Sequence, residues 1–127
     1  MDLKKGTDIF KCFSDEARIR ILHLIYKTEE MCISDLELIL DYTQTKTSRH
    51  LIYLKNTGLL NYRKADQWVY YYINPEFKKM VGDLMNYFDK NELLREDLYE
   101  YRTLYTNSEL AVRQLHLKQK KFKLPPL

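Results

Sequence analysis

Two short amphipathic segments lie close together in the first half of the chain, and their spacing restricts the fold more than any other feature. The first, "DLELIL", follows Ser34 and repeats leucine and isoleucine at helical spacing. The second begins after Thr43, a good helix-capping residue, and stops at Gly58, which readily takes the left-handed conformation found at helix ends. Only the Asp41–Tyr42 joint separates the two segments, so the sequence predicts a helix-turn-helix.

The spacing of apolar residues changes after this motif. The segments "LLNYRK" and "WVYYYI" flank "ADQ", which predicts a β-hairpin with a three-residue connection and a positive φ at Asp66. A first helix is expected near residues 7–13, and Ser14 begins a second with an acidic first turn. Asn74 and Pro75 begin a fifth helix.

The predicted fold is therefore mainly α with a small β-hairpin. It is a winged helix-turn-helix in the order α-α-α-α-β-β-α, followed by a C-terminal helix. Residues 1–90 are predicted to form one winged helix-turn-helix domain, and residues 91–117 a helical extension. The extension is expected to lengthen a dimer interface, wrap the body or contact a second protein. Residues 118–127 form a basic tail that we expect to be disordered.

Charge is distributed unevenly along the chain. Residues 43–67 contain five basic residues against Asp66, whereas residues 28–41 contain five acidic residues and no basic one. A basic segment of this kind favours a polyanionic partner. We predict that the partner is double-stranded DNA, because an α-helix fits the major groove and the first turns of the fourth helix contain no carboxylate.

The predicted DNA contacts lie on two elements. Base-reading and phosphate-binding side chains occupy the first turns of the fourth helix: Gln44, Thr45, Lys46, Ser48 and Arg49. The hairpin tip adds Arg63, Lys64 and Gln67 as phosphate or minor-groove contacts. The aromatic residues of the hairpin are expected to pack against the body rather than to stack on bases.

A single unit of this size reads few base pairs, so a homodimer is expected. Its interface is predicted along the fifth helix, together with Phe10 of the first helix. The predicted stripe on the fifth helix consists of Phe77, Val81, Leu84 and Phe88. The alternative is that this stripe belongs to the core of one protomer.

Other classes of protein are disfavoured by missing motifs. The N terminus lacks the apolar region of a secretory signal and no run is long enough to span a membrane, so a cytoplasmic protein with free thiols is expected. The chain has no glycine-rich phosphate loop, nucleophile elbow or HExxH sequence, so no enzyme and no cofactor are predicted. A winged helix that binds another protein is the main alternative.

Four segments together resemble the ArsR/SmtB-type winged-helix transcriptional repressors: "IFKCFSDEARIRIL", "MCISDLELIL", "TQTKTSRHLIYLKNTGLL" and "WVYYYI". The resemblance implies a homodimer that binds an inverted-repeat operator until an inducer releases it. It places residues 44–46 and 48–50 in the recognition helix, which adds His50 as a phosphate contact or a packing residue, and it places residues 63–67 in the wing. Asp66 stands where the family has glycine, and Gln67 where arginine is common.

The resemblance does not identify the inducer. Metal-sensing relatives carry "CVC" in the third-helix segment, but this chain has "CIS", with Cys32 followed by Ser34, and residues 75–90 contain no histidine. No metal site is therefore predicted. Cys12 and Cys32 remain weak candidates for a thiol pair that responds to oxidants or a thiophilic ion, and the alternative is that both are buried. His23 is expected to be partly solvated and His116 to lie in the loose tail.

Overall fold

The computed structural model describes residues 1–121 and 124 of the chain. Within them the elements follow the predicted order, with an additional strand and a divided C-terminal helix. The helices are α1 (Leu3–Lys11), α2 (Glu16–Thr28), α3 (Ile33–Leu40), α4 (Gln44–Asn56), α5 (Lys78–Asn86), α6 (Glu92–Thr106) and α7 (Ala111–Lys118). The strands are β1 (Met31–Cys32), β2 (Leu60–Ala65) and β3 (Trp68–Ile73), and a short 3₁₀ turn (Pro75–Phe77) precedes α5.

The predicted helix-turn-helix is confirmed by the ends of α3 and α4. Asp41 ends α3 in the left-handed conformation, with φ of 55°. The Thr43 hydroxyl caps α4 by accepting a hydrogen bond from the backbone N–H of Lys46 at 3.1 Å. Beyond the last turn of α4, Gly58 has φ of +86°, which side-chain-bearing residues rarely adopt. The two helices therefore meet through the short joint that the sequence predicted.

Two predicted helix starts were wrong by one or two residues. Asp15, not Ser14, caps α2, because its carboxylate accepts the backbone N–H of Arg18 at 3.1 Å. Ser34 lies inside α3, with its hydroxyl 3.3 Å from the sulfur of Cys32, the residue that precedes this helix. In both cases the polar residue that suggested the cap lies one or two positions from the residue that precedes the helix.

The hairpin belongs to a three-stranded antiparallel sheet in the order β1-β3-β2. Met31 of β1 pairs with Tyr71, and Ala65 pairs with Trp68 across the tip of the hairpin. The connection therefore contains two residues rather than the predicted three, while the positive φ of Asp66, 57°, is confirmed. A two-residue strand such as β1 has no sequence pattern of its own, because its formation depends on the neighbouring β3.

The C-terminal extension wraps the body instead of projecting from it. Helix α6 packs against α2 and α3, and α7 packs against α3 and β1. Tyr101, Tyr105, Val112 and Leu115 join the same core as the helix-turn-helix. The turn between the two helices was not predicted. Of the predicted disordered tail, residues 118–127, Lys118 belongs to α7, and five of the ten residues lie outside the described part of the chain.

A buried carboxylate fixes α7 to the body. Asp35 on α3 is 1% exposed and accepts the backbone N–H groups of Ala111 and Val112 at 2.8 and 2.9 Å. The residue before α7, Leu110, supplies no side-chain cap, so Asp35 satisfies the start of this helix from another element. Burial raises the pKa of Asp35, although these two hydrogen bonds oppose the change.

Candidate nucleic-acid interface

One face of α4 is open to solvent and the opposite face is buried. Gln44, Thr45 and Arg49 are exposed and Ser48 is half-buried. These four residues and Ile52 line a shallow groove of about 520 Å³. On the other side of the helix Thr47, Leu51 and Leu54 are at most 1% exposed and fix α4 to the body. The structure therefore brings four of the predicted base-reading residues together on one surface.

Ile52 completes this surface, and the sequence interpretation missed it. Its side chain is 47% exposed, one helical turn beyond Ser48. The spacing of residues 44, 48 and 52 at intervals of four was the signal that could have identified it. An isoleucine in this position provides an apolar surface of the kind that can contact a thymine methyl group.

Lys46 is positioned by an aromatic ring and an ion pair behind it. Its Nζ lies 4.0 Å from the centre of the Tyr42 ring. The Tyr42 hydroxyl accepts a hydrogen bond from Arg20 at 3.0 Å, and Arg20 also makes two hydrogen bonds to Asp97 of α6. These hydrogen bonds raise the pKa of Arg20, the bond to Asp97 most strongly. The C-terminal extension thus supports the ring against which Lys46 packs.

The basic start of α4 lies beside carboxylates from another helix. Asp15 and Glu16 at the start of α2 line a surface depression of about 480 Å³ together with Lys46 and Arg49. The first turns of α4 contain no acidic residue, but the folded surface around them does. Asp15 already caps α2, and its hydrogen bond to the backbone of Arg18 helps to lower the pKa of its carboxyl despite partial burial.

His50 does not form part of the exposed surface of α4. Its side chain is 6% exposed, which favours the second alternative, a packing residue, over a phosphate contact. Burial lowers the pKa of its imidazole, although nearby Asp15 has the opposite effect. The reason is helical geometry, since His50 lies three residues after the buried Thr47 and therefore on the inner face.

The predicted wing residues separate into two groups. Lys64 and Gln67 are exposed near the tip of the hairpin. Arg63 instead points to the body, where its guanidinium makes two hydrogen bonds to the Glu30 carboxylate at 2.6 and 2.8 Å. Its charge is therefore already paired in the protein, and the prediction that it lies at the tip was wrong.

A lysine from α7 reaches the tip of the hairpin, and no local pattern indicated it. Lys118 Nζ lies 2.6 Å from the carboxylate of Asp66. This pair places a cation beside Lys64 and Gln67 and opposes the negative charge that Asp66 brings to the wing. The contact spans 52 positions in sequence, so it depends on the fold alone.

The predicted dimer surface is only partly available. Phe77 and Val81 are 4% and 0% exposed within a single protomer, so these two residues belong to the core, as the alternative held. Phe10 is 58% exposed on α1, while Leu84 and Phe88 are half-buried. The correction arises because α5 packs on α2 and thereby buries the face that the sequence assigned to a partner.

Both cysteines are buried and unpaired with one another. Cys12 lies 3.2 Å from the hydroxyl of Thr57, and Cys32 lies 3.3 Å from that of Ser34. Burial raises the pKa of both thiols, and that of Cys32 reaches about 11. A high pKa and a buried sulfur both oppose thiolate reactivity. Within residues 1–121 and 124, no three His, Cys, Asp or Glu side chains converge to hold a metal.

The remaining histidines are both buried, contrary to prediction. His116 lies on α7, where its Nδ1 is 2.8 Å from the Tyr105 hydroxyl, and burial lowers the pKa of its ring. His23 on α2 is 7% exposed and its Nδ1 has no hydrogen-bond partner.

For the portion of the chain that is described, no helix is both long and apolar enough to cross a membrane.

Known proteins are similar to this chain in sequence and in fold. Residues 15–62, from α2 into β2, match the family model described as "Bacterial regulatory protein, arsR family". The arsenic resistance transcriptional regulator ArsR2 of Pseudomonas putida is 42% identical over 61% of this chain and 68% of its own length. The arsenical resistance operon repressor of Escherichia coli is 43% identical over 61% of this chain and 67% of its own length.

A solved structure has a similar fold. HlyU from Vibrio cholerae has 29% sequence identity and a TM-score of 0.62, covering 71% of this chain and all of that protein. The family match, residues 15–62, contains the helix-turn-helix described above. The chain therefore belongs to the arsR family of bacterial regulatory proteins.

Proposed function

We propose that the chain is a cytoplasmic transcriptional repressor that binds an inverted-repeat operator as a homodimer and is released by an inducer. Family membership supports the regulatory role. The observation that carries the DNA-binding proposal is the exposed face of α4, where Gln44, Thr45, Ser48 and Arg49 line one groove and Lys46 adjoins it. A helix that presents amide, hydroxyl and guanidinium groups on one face has the chemistry for reading base edges in the major groove.

The wing adds contacts that depend on charge rather than on base sequence. Lys64 and Gln67 are exposed near its tip, and Lys118 lies beside them through its contact with Asp66. Cations in this position would bind phosphates and contribute salt-dependent affinity. Arg63 has a structural role in this proposal, because Glu30 already holds its guanidinium.

Dimerisation would use the apolar surface that a single protomer leaves uncovered on α1. Leu3 and Phe10 are 87% and 58% exposed and lie seven residues apart, on one face of this helix. The half-buried Leu84 and Phe88 are the other members of the predicted stripe that the protomer leaves partly uncovered, and the proposal includes them. Burial of such side chains against a second copy would supply the association energy.

The names of the relatives associate them with arsenic. In this chain, the residues at the start of α3 do not favour the binding of arsenic as an inducer. Cys32 is 1% exposed and its sulfur lies 3.3 Å from the hydroxyl of Ser34. Capture of a thiophilic ion requires several converging thiolates or imidazoles. The proposal therefore includes an inducer without assigning it to Cys32.

Fluorescence anisotropy with labelled DNA from upstream of the gene tests the reading role of α4. We expect Arg49→Ala and Lys46→Ala each to weaken specific binding by ~1–3 kcal/mol, or about 5-fold to 150-fold. Lys79→Ala is the matched control, because this lysine is exposed on α5 and pairs with Asp83 four residues later. Unchanged affinity in both α4 variants would refute the assignment of this helix as the reader.

Analytical ultracentrifugation tests the dimer surface separately. Phe10→Asp is expected to shift the protein toward monomer, because it places a charge in the centre of the proposed apolar contact. Tyr99→Asp provides the control on α6, where the tyrosine is 62% exposed outside the proposed surface. A Phe10→Asp variant that sediments as the parent protein does would rule out α1 as the contact.

A further inference from the structure

A cavity of about 370 Å³ lies between α2, the end of α5 and the start of α6. This volume is within the range that small-molecule sites occupy in proteins. The cavity lies outside the exposed face of α4 and shares no lining residue with the groove on that helix. Six lining residues carry the argument that follows: His23, Lys27, Phe88, Lys90, Leu94 and Arg95.

His23 gives the cavity a directed polar group. Its ring lines the cavity, and its Nδ1 is buried without a hydrogen-bond partner, which leaves Nε2 as the nitrogen that faces the space. Burial lowers the pKa of this histidine to about 4, so the ring is neutral near pH 7. A buried N–H without an acceptor costs more than a buried lone pair, so the proton belongs on Nε2. The ring therefore offers a hydrogen-bond donor to the cavity.

The charged residues around the cavity are also mainly donors. Lys27, Lys90 and Arg95 line it and are exposed at its rim, whereas Asp89 is the one carboxylate among its lining residues. The guanidinium group of Arg95 can bind both oxygens of a carboxylate through its planar fork. Donors and positive charge together favour an anion over a neutral or cationic ligand.

The inner walls are apolar and closely packed. Leu94, Leu98 and Met85 are each 4% exposed and line the cavity. Tyr26 forms another wall, where its ring lies so close to Gly82 that a Cβ there would be 2.9 Å from Cζ. Together with the basic rim, these apolar side chains favour a ligand that combines a hydrocarbon body with an anionic end.

We propose that this cavity binds a small organic monocarboxylate, with the hydrocarbon against Phe88 and Leu94 and the carboxylate between His23, Lys90 and Arg95. The proposal goes beyond DNA binding and does not depend on it. The test contains no DNA, so a failure of the DNA-binding proposal would leave this one standing, and the reverse also holds.

Isothermal titration calorimetry on the full chain provides the test, with benzoate, cyclohexanecarboxylate and octanoate as probes. We expect saturable binding of at least one probe and at least a 10-fold loss of affinity when the neutral benzamide replaces benzoate. Lys90→Gln and Arg95→Gln are each expected to weaken binding by about 10-fold. Lys79→Gln, which removes an equal charge on the exposed side of α5, is expected to leave affinity unchanged.

Three results would overturn the proposal. One is the absence of saturable binding by all three carboxylates, and another is equal affinity for benzoate and benzamide. The third is an equal loss from Lys79→Gln and Arg95→Gln, which would indicate general attraction to a basic protein. Because Lys90 and Arg95 are exposed, their substitution tests the site without disturbing the core.

Discussion

The ion pair between α2 and α6 leads to a quantitative prediction about stability. Arg20 Nε and Nη2 lie 2.9 and 2.8 Å from the two carboxylate oxygens of Asp97. Asp97 is 4% exposed and the side chain of Arg20 is 19% exposed, so both groups are largely removed from water. Asp97→Asn keeps the size of the side chain but removes its charge and turns one acceptor into a donor.

The expected cost follows from the charge that remains. A guanidinium left without its buried partner typically destabilises a protein by ~3–5 kcal/mol. Because Arg20 retains partial access to solvent, we expect a loss near the lower end, about 3 kcal/mol. For a chain of 127 residues this corresponds to a fall in Tm of roughly 10 °C.

Urea denaturation followed by circular dichroism measures this loss, at a fixed protein concentration because association would add to apparent stability. Asp83→Asn is the matched control. Its carboxylate is 62% exposed and pairs with Lys79, so the expected loss is below ~0.5 kcal/mol. The double replacement Arg20→Met with Asp97→Leu should recover most of the stability, because it leaves no unpaired charge.

A loss below ~1 kcal/mol for Asp97→Asn, or one equal to that of Asp83→Asn, would refute this reasoning. Either result would mean that solvent reaches Arg20 far more than its position indicates. Such a result would also mean that Asp97 does not hold Arg20 in place beside Tyr42, the residue whose ring lies beneath Lys46.

Three further predictions concern other parts of the chain. Thr43→Ala and Asp15→Ala should each lower the free energy of unfolding by ~1 kcal/mol in urea titrations, and Ser14→Ala by less because it caps no helix. An equal loss from Ser14→Ala would contradict the observed caps. Burial, aided by Lys27 and opposed by Asp97, lowers the pKa of His23 from 6.5 to about 4. Between pH 6.5 and pH 4 the unfolded chain therefore binds a proton at His23 that the folded chain does not bind. About 3 kcal/mol of stability is present above pH 6.5 and is lost as the pH falls to 4. His23→Gln should flatten that part of the stability profile, and an unchanged slope would count against the shift. Iodoacetamide at pH 8 should label both cysteines slowly until urea is added, because burial raises the pKa of each thiol; labelling of the native protein as fast as that of glutathione would show the thiols to be accessible.

Several features that depend on residues near one another in the chain could be predicted from the sequence. Thr43 marks the start of α4 and Gly58 follows its end, because a helix cap and a left-handed residue each act within one helical turn. The alternation of the hairpin and the start at Asn74 and Pro75 follow from equally local preferences. The group on the open face of α4, Gln44, Thr45, Ser48 and Arg49, was identified for the same reason, since helical spacing decides which side chains share a face.

Tertiary structure decided what each surface residue faces, because contacts between distant segments leave no local pattern. It buried His50 and Phe77, paired Arg63 with Glu30, and placed Asp15 and Glu16 beside the basic start of α4. It also enclosed His23 within a cavity and used Asp35 to cap a helix 76 positions later in the chain. Local sequence determined which residues can form each element, whereas the packing of those elements determined which charges remain available to a partner.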